Sequence, residues 1–289
     1  LYKCIRQTAL SDPYKAADET YYKILVPEKN SKGKGVRKGY LWVVVGINTR
    51  MIYLLYDDGS RSEKVILNEL GGCKGIIQSD GYSPYRKLES DAYPHITRIP
   101  CLQHIKRKFI DCGEDEPDAK RIVELINTLY QNEHKHKIGV DGWTVEQNLV
   151  HRKKYAPDIL GEIKDVLDDI EERGDLLPKS ELKEAVTYLR NEWNAVVDIF
   201  NYGDTYLDNN MVERMNRYIS LSRKNSLFFG SHKGAERGAI LYTIALTCRM
   251  HKVNLFEYLT DVINRTAEWQ PNTPIEKYRE LLPDRWEKA

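Results

Sequence analysis

Residues 40–47 read YLWVVVGI, an apolar run rich in β-branched side chains. A strand with one wet face alternates polar and apolar residues; a run apolar throughout has to be covered on both faces, as inside a sheet flanked by helices. The segments around it fit such a sheet. Residues 14–25 alternate in part, with Ala16, Asp18, Thr20 and Tyr22 on one face, and residues 51–56 form a third strand closed by Asp57-Asp58-Gly59. Residues 75–78 read as a short strand running into Ser79-Asp80-Gly81, and residues 95–99 as a fifth. The 27–39 connection carries Lys29, Lys32, Lys34, Arg37 and Lys38 against Glu28, as expected of a mobile hairpin tip or a phosphate-contacting loop. Helical patterns fall between the later strands, at 62–70, 85–89 and 100–112. In the last of these, Leu102, Ile105 and Phe109 make an apolar stripe while His104 and Lys108 share the other side. Three meandering strands followed by βαβ units predict an α/β fold, a mixed five-stranded sheet with helices packed on it.

From about 113 to 202 the pattern is helical, with no strand signal; residues 182–197 form its longest amphipathic stretch. This region reads as an all-α insertion. A further helix is expected after Asp208, an acceptable N-cap, with Met211, Val212, Met215, Tyr218 and Ile219 on its core face and Glu213, Asn216, Arg217 and Ser220 opposite. Helices at 235–250 and 255–263 follow, and a tail rich in Pro and Trp is expected to lie against the surface. The expected division is 12–112 and 204–265 for the two parts of the core, 113–203 for the insertion and 266–289 for the tail.

Composition narrows the class. At 289 residues, 41% hydrophobic and 30% charged, the chain has the make-up of a soluble globular protein. No run of eighteen apolar residues spans a membrane, and the first residues hold no signal-peptide core. The first residue is Leu rather than Met, as in a piece of something longer. Five scattered cysteines make a poor disulfide framework and suggest a reducing, cytoplasmic setting. Cys101-Leu-Gln-His104 has half of a zinc spacing, but no second pair follows at a suitable distance. The net charge of +1 argues against a protein that coats nucleic acid indiscriminately, yet the charges are segregated. Residues 158–184 hold ten acids against four bases, and residues 213–252 hold eight bases against two acids. On charge alone, these read first as two solvated surfaces.

Three acids stand out by context. Asp18 sits inside a strand, where an acid is disfavoured unless the sheet needs it; Asp80 sits at a strand end, where ligands gather in α/β sheets; Glu213 lies on the polar face of a helix. Singly, each has an ordinary explanation: a solvent-facing strand residue, a turn, one more wet carboxylate. Together they suit phosphodiester chemistry, in which carboxylates hold two hard cations roughly 3.5–4 Å apart. Magnesium needs few protein carboxylates, since it keeps several waters.

The series A-D-E-T, S-D-G-Y, C-x-x-H-x-x-R-K-F and D-N-N-x-x-E-R, then R-K-N and F-x-G-S, resembles the insertion sequence 66 family of transposases. The resemblance continues through residues 188–193 and 281–283, and so runs from about Pro13 over nearly the whole chain. It implies a ribonuclease-H-like core interrupted by a helical insertion before the last catalytic helix, with Asp18, Asp80 and Glu213 as a triad binding Mg²⁺ or Mn²⁺, two ions in all. It also implies cleavage at transposon ends and transfer of the 3′-hydroxyl into target DNA, with self-association in the DNA complex. His104 resembles the histidine of a Cys-x-x-His signature near the second aspartate; it either supports the scissile phosphate or is an ordinary helix-surface histidine. Arg107, Lys108, Arg214, Arg217, Arg223 and Lys224 would meet phosphates, positioning DNA rather than reading it. Asn209 and Asn210 would bind DNA, orient the glutamate or simply begin the helix.

The sequence departs from the family pattern in two places. Ser226 stands where many relatives have a tryptophan; Phe228 and Phe229 remain nearby and read first as core packing. Relatives carry amino-terminal modules for end recognition, and no helix-turn-helix or Cys-rich segment reads in this sequence. Two other classes compete: a transposase-derived DNA-binding protein without chemistry, against which the intact triad speaks, and a stand-alone nuclease of the same fold, which needs no long insertion.

Overall fold

The computed structural model describes residues 1–29, 33, 35–174, 176–270 and 272–287. Lys32 and Lys34 of the basic connection lie outside the described residues. The sheet has the order β3-β2-β1-β4-β5, from β1 (Tyr14–Leu25), β2 (Val36–Gly46), β3 (Ile52–Leu55), β4 (Gly75–Ser79) and β5 (Ile96–Pro100). β1 pairs antiparallel with β2, β2 antiparallel with β3, and β1 parallel with β4. The chain is therefore α/β, a mixed five-stranded sheet flanked by helices, as the strand pattern predicts.

The apolar run behaves as expected. Leu41 to Val45 are all essentially buried in β2. β2 nevertheless starts at Val36, inside the basic connection, because β1 continues to Leu25 and the ladder carries its partner along, pairing Ile24 with Arg37 and Leu25 with Val36. The hairpin connection is correspondingly shorter than the 27–39 span read from composition.

The first helix has no counterpart in the sequence reading. α1 (Tyr2–Ser11) buries Cys4, Ile5 and Ala9 and packs on β2 and β3. Behind it, buried Asp12 accepts from the amides of Tyr14 at 2.9 Å and Thr49 at 2.7 Å, which fixes the start of β1 to the β2–β3 turn.

By compactness the described chain forms two units. The first comprises Leu1–Gln78, Pro84–Thr97 and Asn210–Ala289; the second comprises Ser79–Ser83 and Arg98–Asn209. In the first, α8 (Asn210–Ser222) lies on β1 and β2, while α9 (His232–Met250) lies on edge strand β3. An edge strand leaves a row of unpaired backbone groups that has to be satisfied or covered. Here α9 does both: the Thr243 and Thr247 hydroxyls accept from the amides of Leu54 and Ile52 at 2.9 and 3.1 Å, and Thr247 also donates to the Ile52 carbonyl at 3.1 Å. After α10 (Leu255–Thr266) the tail folds back as expected, through α11 (Ile275–Glu280) and buried Leu281 and Leu282, with the Tyr258 hydroxyl donating to the Leu281 carbonyl at 2.8 Å.

The second unit is built from α4 (Leu102–Ile110), α5 (Pro117–Glu133), α6 (Val145–Arg173) and α7 (Glu181–Ile199). α6 opens with a capping box between Thr144 and Gln147. Buried Arg152 of α6 takes both oxygens of Glu133 at 2.7 Å and donates to the carbonyls of Ile199, Tyr202 and Thr205, so one guanidinium ties α5, α6 and the loop after α7 together. Asn148 reinforces that loop by donating to the Gly203 carbonyl at 2.8 Å.

Candidate active site

In the first unit, the A-D-E-T segment presents two consecutive acids on β1, whose side chains leave opposite faces of the sheet. Glu19 is committed: it accepts from the Arg61 guanidinium at 2.5 and 3.0 Å and from the Tyr85 hydroxyl at 3.3 Å. Asp18, half-buried on the other face, accepts from the Glu19 amide at 2.8 Å and from the Asn216 side-chain amide at 2.6 Å. An amide orients a carboxylate without cancelling its charge; an arginine does both. Of the adjacent pair, Asp18 is thus oriented by amides, whereas Glu19 meets a guanidinium and a phenol.

Asn216 belongs to α8. Val212, Met215 and Ile219 form the buried stripe of that helix, and Glu213 lies one turn before Asn216, in neighbour position on the same side. The sequence reading put Asn216 on this polar face without assigning it a partner; its spacing of three from Glu213 was the available signal. α8 begins at Asn210, so the position before the helix belongs to Asn209 rather than Asp208, a shift of one residue from the expected cap. Arg214, Arg217 and Lys224 are exposed. Arg223 is more occupied, donating to the Tyr21 carbonyl with its guanidinium carbon 4.4 Å from the Tyr21 ring centroid.

The F-x-G-S segment is held by backbone pairing. β4 reaches only the first residues of β1, and past that point Phe229 takes the vacant edge, with its amide donating to the Lys23 carbonyl and the Leu25 amide donating to the Phe229 carbonyl, both at 2.8 Å. Its ring packs 4.3 Å from that of Tyr22, and a Cβ on Gly238 would fall 2.4 Å from it, so glycine is what allows α9 so close. Phe229 is a packing residue, as read; Phe228 is exposed.

In the second unit, Asp80 stands one residue past β4. Its Oδ1 accepts from the Tyr82 amide at 3.1 Å, closing a tight turn. The Asp80 carbonyl accepts from the Ser79 hydroxyl at 2.9 Å and from Arg98 Nη1 at 3.2 Å, and the Gly81 amide donates to the Tyr188 hydroxyl at 2.8 Å. Arg98 pairs with Glu192, both side chains fully buried. Burial, with Glu192 and Asp80 nearby, pushes the Tyr188 phenol up, so it stays protonated at ordinary pH. Neither Arg98 nor Glu192 stands out in the sequence, since charge on a strand and on a helix reads as solvated surface.

The C-x-x-H signature starts with a structural clamp. The Cys101 amide donates to the Ser79 carbonyl at 3.1 Å, the Leu102 amide to the Leu207 carbonyl at 2.9 Å, and the Asn209 amide to buried Cys101 Sγ at 3.2 Å. Two residues thereby hold the residue before Asp80 and the segment leading to α8. His104 is half-buried on α4, and Arg107 and Lys108 are exposed, with the Lys108 ammonium 5.9 Å from the Tyr188 ring centroid. Asn209 is buried and Asn210 exposed. Among the described residues, none of the five cysteines forms a disulfide.

The fold defines an α/β protein, a mixed five-stranded sheet flanked by helices. The model of the Transposase IS66 family matches residues 1–237, and the chain belongs to that family. Two similar proteins of Sinorhizobium fredii (strain NBRC 101917 / NGR234) carry the names uncharacterized protein y4jD and uncharacterized protein y4qI. The first is 28% identical over 234 residues, covering 78% of this chain and 44% of its own; the second is 28% identical over 275 residues, covering 90% and 49%. The chain thus spans about half the length of the curated relatives it matches. Among the described residues, no helix is long and apolar enough to cross a membrane.

Proposed function

We propose that this chain is the catalytic portion of a DNA transposase, in which Asp18, Asp80 and Glu213 hold two divalent cations against a DNA backbone. One observation carries the reading: the 2.6 Å bond from Asn216 to Asp18 ties the first acid to the polar side of the helix that bears the third. The inclusion of Asp80 is supported by its place at the end of β4 within the S-D-G-Y motif. The donor chemistry fits a hard cation. All three are carboxylates, and amides orient Asp18 and Asp80 in the contacts above.

On this reading the core, 12–112 with 204–265, is ribonuclease-H-like, with the helical segment 113–203 inserted in it and 266–289 as its tail. Bound Mg²⁺ or Mn²⁺ would activate the attacking hydroxyl and offset charge on the departing oxygen. The protein's own residues do the rest. Asn216 holds Asp18 in one rotamer; exposed Arg107, Lys108, Asn210, Arg214, Arg217 and Lys224 take up phosphates without reading bases, with Arg223 at the edge of that surface. His104, one turn before Lys108 on α4, supports the scissile phosphate, and Asn209 orients the start of the glutamate helix. The substrate is DNA, as transposon ends and target, handled by self-associated copies of the full-length protein with its recognition modules.

The test is strand transfer by the full-length protein on transposon-end DNA in Mg²⁺ or Mn²⁺. Asp18→Asn, Asp80→Asn and Glu213→Gln are each expected to lower the rate by more than about a hundredfold, beyond what losing a residue that only supports a ligand costs. Wild-type activity in any one of the three removes that residue from the triad. Cleavage without joining would mark a nuclease instead.

A further inference from the structure

We propose that Tyr188, Arg98 and Glu192 are positioning residues for Asp80, so that α7 sets the turn on which this carboxylate is presented. The inference rests on the reading of Asp80 as a metal ligand, and its argument is one of backbone geometry. The carbonyl of Asp80 and the amide of Gly81 are the two ends of one peptide group. Arg98 holds the carbonyl at 3.2 Å, and the Tyr188 hydroxyl holds the amide at 2.8 Å. A planar peptide gripped at both ends cannot rotate, which fixes the backbone torsion that aims the residue before it.

Both grips depend on one helix face, with Arg98 itself on β5. Tyr188 and Glu192 are four residues apart on α7, hence stacked on the same side, and Glu192 holds Arg98 from there. Taking such a pair wholly out of water costs more than a well-packed apolar pair of similar volume, so its place at this turn calls for a function that packing alone does not supply. Gly81 completes the device. A Cβ there would fall 2.5 Å from the Tyr188 hydroxyl, so only glycine lets the phenol reach the backbone.

Tyr188→Phe removes a single oxygen and keeps the ring's packing, and it is tested in the full-length protein beside Asp80→Asn. Two readouts are taken: amide hydrogen exchange of residues 80–82 in metal-free protein, and the Mn²⁺ concentration that gives half-maximal strand transfer. Tyr188→Phe is expected to speed exchange at Gly81 by about tenfold, the worth of one hydrogen bond, while amides elsewhere in α7 keep their rates. The half-maximal Mn²⁺ concentration is expected to rise several-fold. Unchanged exchange and metal response, with Asp80→Asn inactive, would overturn the positioning role and leave the triad standing. So would lost activity without local exchange at Gly81, which would make Tyr188 a substrate contact. Full activity in Asp80→Asn would instead sink the underlying reading.

Discussion

Asn216 shows how a single side chain divides labour between neighbours. β1 offers two acids in a row, and what separates them is their partners: an arginine and a phenol for Glu19, amides for Asp18. Asn216→Ala removes the side-chain amide that fixes the Asp18 rotamer; strand transfer is expected to fall about 10- to 100-fold, the cost of losing a group that supports a metal ligand. Asn216→Asp is expected to be worse, because it sets a carboxylate 2.6 Å from another, and a shift of its pH–rate profile to lower pH relative to wild type would speak against that electrostatic cause. At this scale the sequence was half legible. Asp18, Asp80 and Glu213 were visible through their settings on a strand, a strand end and a helix face. The partners of Asn216, Arg98 and Glu192 were not, because they lie 94 to 198 residues away along the chain, and periodicity carries no information at that range.

At the scale of elements, local pattern was a good guide wherever burial was decided within the segment. The β2 run and the α8 stripe fall where continuous apolarity and helical spacing put them. The extra residues at the start of β2 escaped because Arg37 and Lys38 look like loop residues; they are in the ladder because β1 is there to pair with. α1 escaped for a similar reason: its polar composition hides three buried positions that acquire meaning only against β2 and β3. The threonine cover on β3 is another such dependence, and it can be measured. Thr243→Val is nearly isosteric but leaves the buried Leu54 amide without its acceptor, so chemical denaturation should show a loss of about 1–3 kcal/mol. A change within a few tenths would mean that the amide finds another acceptor.

On the scale of the molecule, stability in the helical unit depends on charge that is almost wholly dry. Burial raises the Glu133 carboxyl, but the hydrogen bonds and charge of Arg152 and the hydroxyl of Tyr155 outweigh it and hold the group below its ordinary value. With the folded value depressed, the contribution of this pair is complete above the ordinary carboxyl value of about 4.5 and is lost as the pH falls through the lower one. Thermal melts below pH 4.5 should therefore show this unit weakening. Glu133→Gln should lose roughly 3 kcal/mol near neutrality and flatten that acid slope, because it strands Arg152 in the interior. An unaltered slope would place the acid sensitivity elsewhere. The clamp on the Asp80–Gly81 peptide has a consequence for how proteins of this family can diversify. An inserted block of helices is commonly pictured as a cassette, free to be trimmed or exchanged while the sheet keeps its chemistry. Here the block grips the chain beside Asp80 directly through Tyr188, and through Glu192 it holds Arg98 of β5 on the same peptide. Grafting a foreign block would carry away that grip, so insertion and the Asp80 turn are expected to change together.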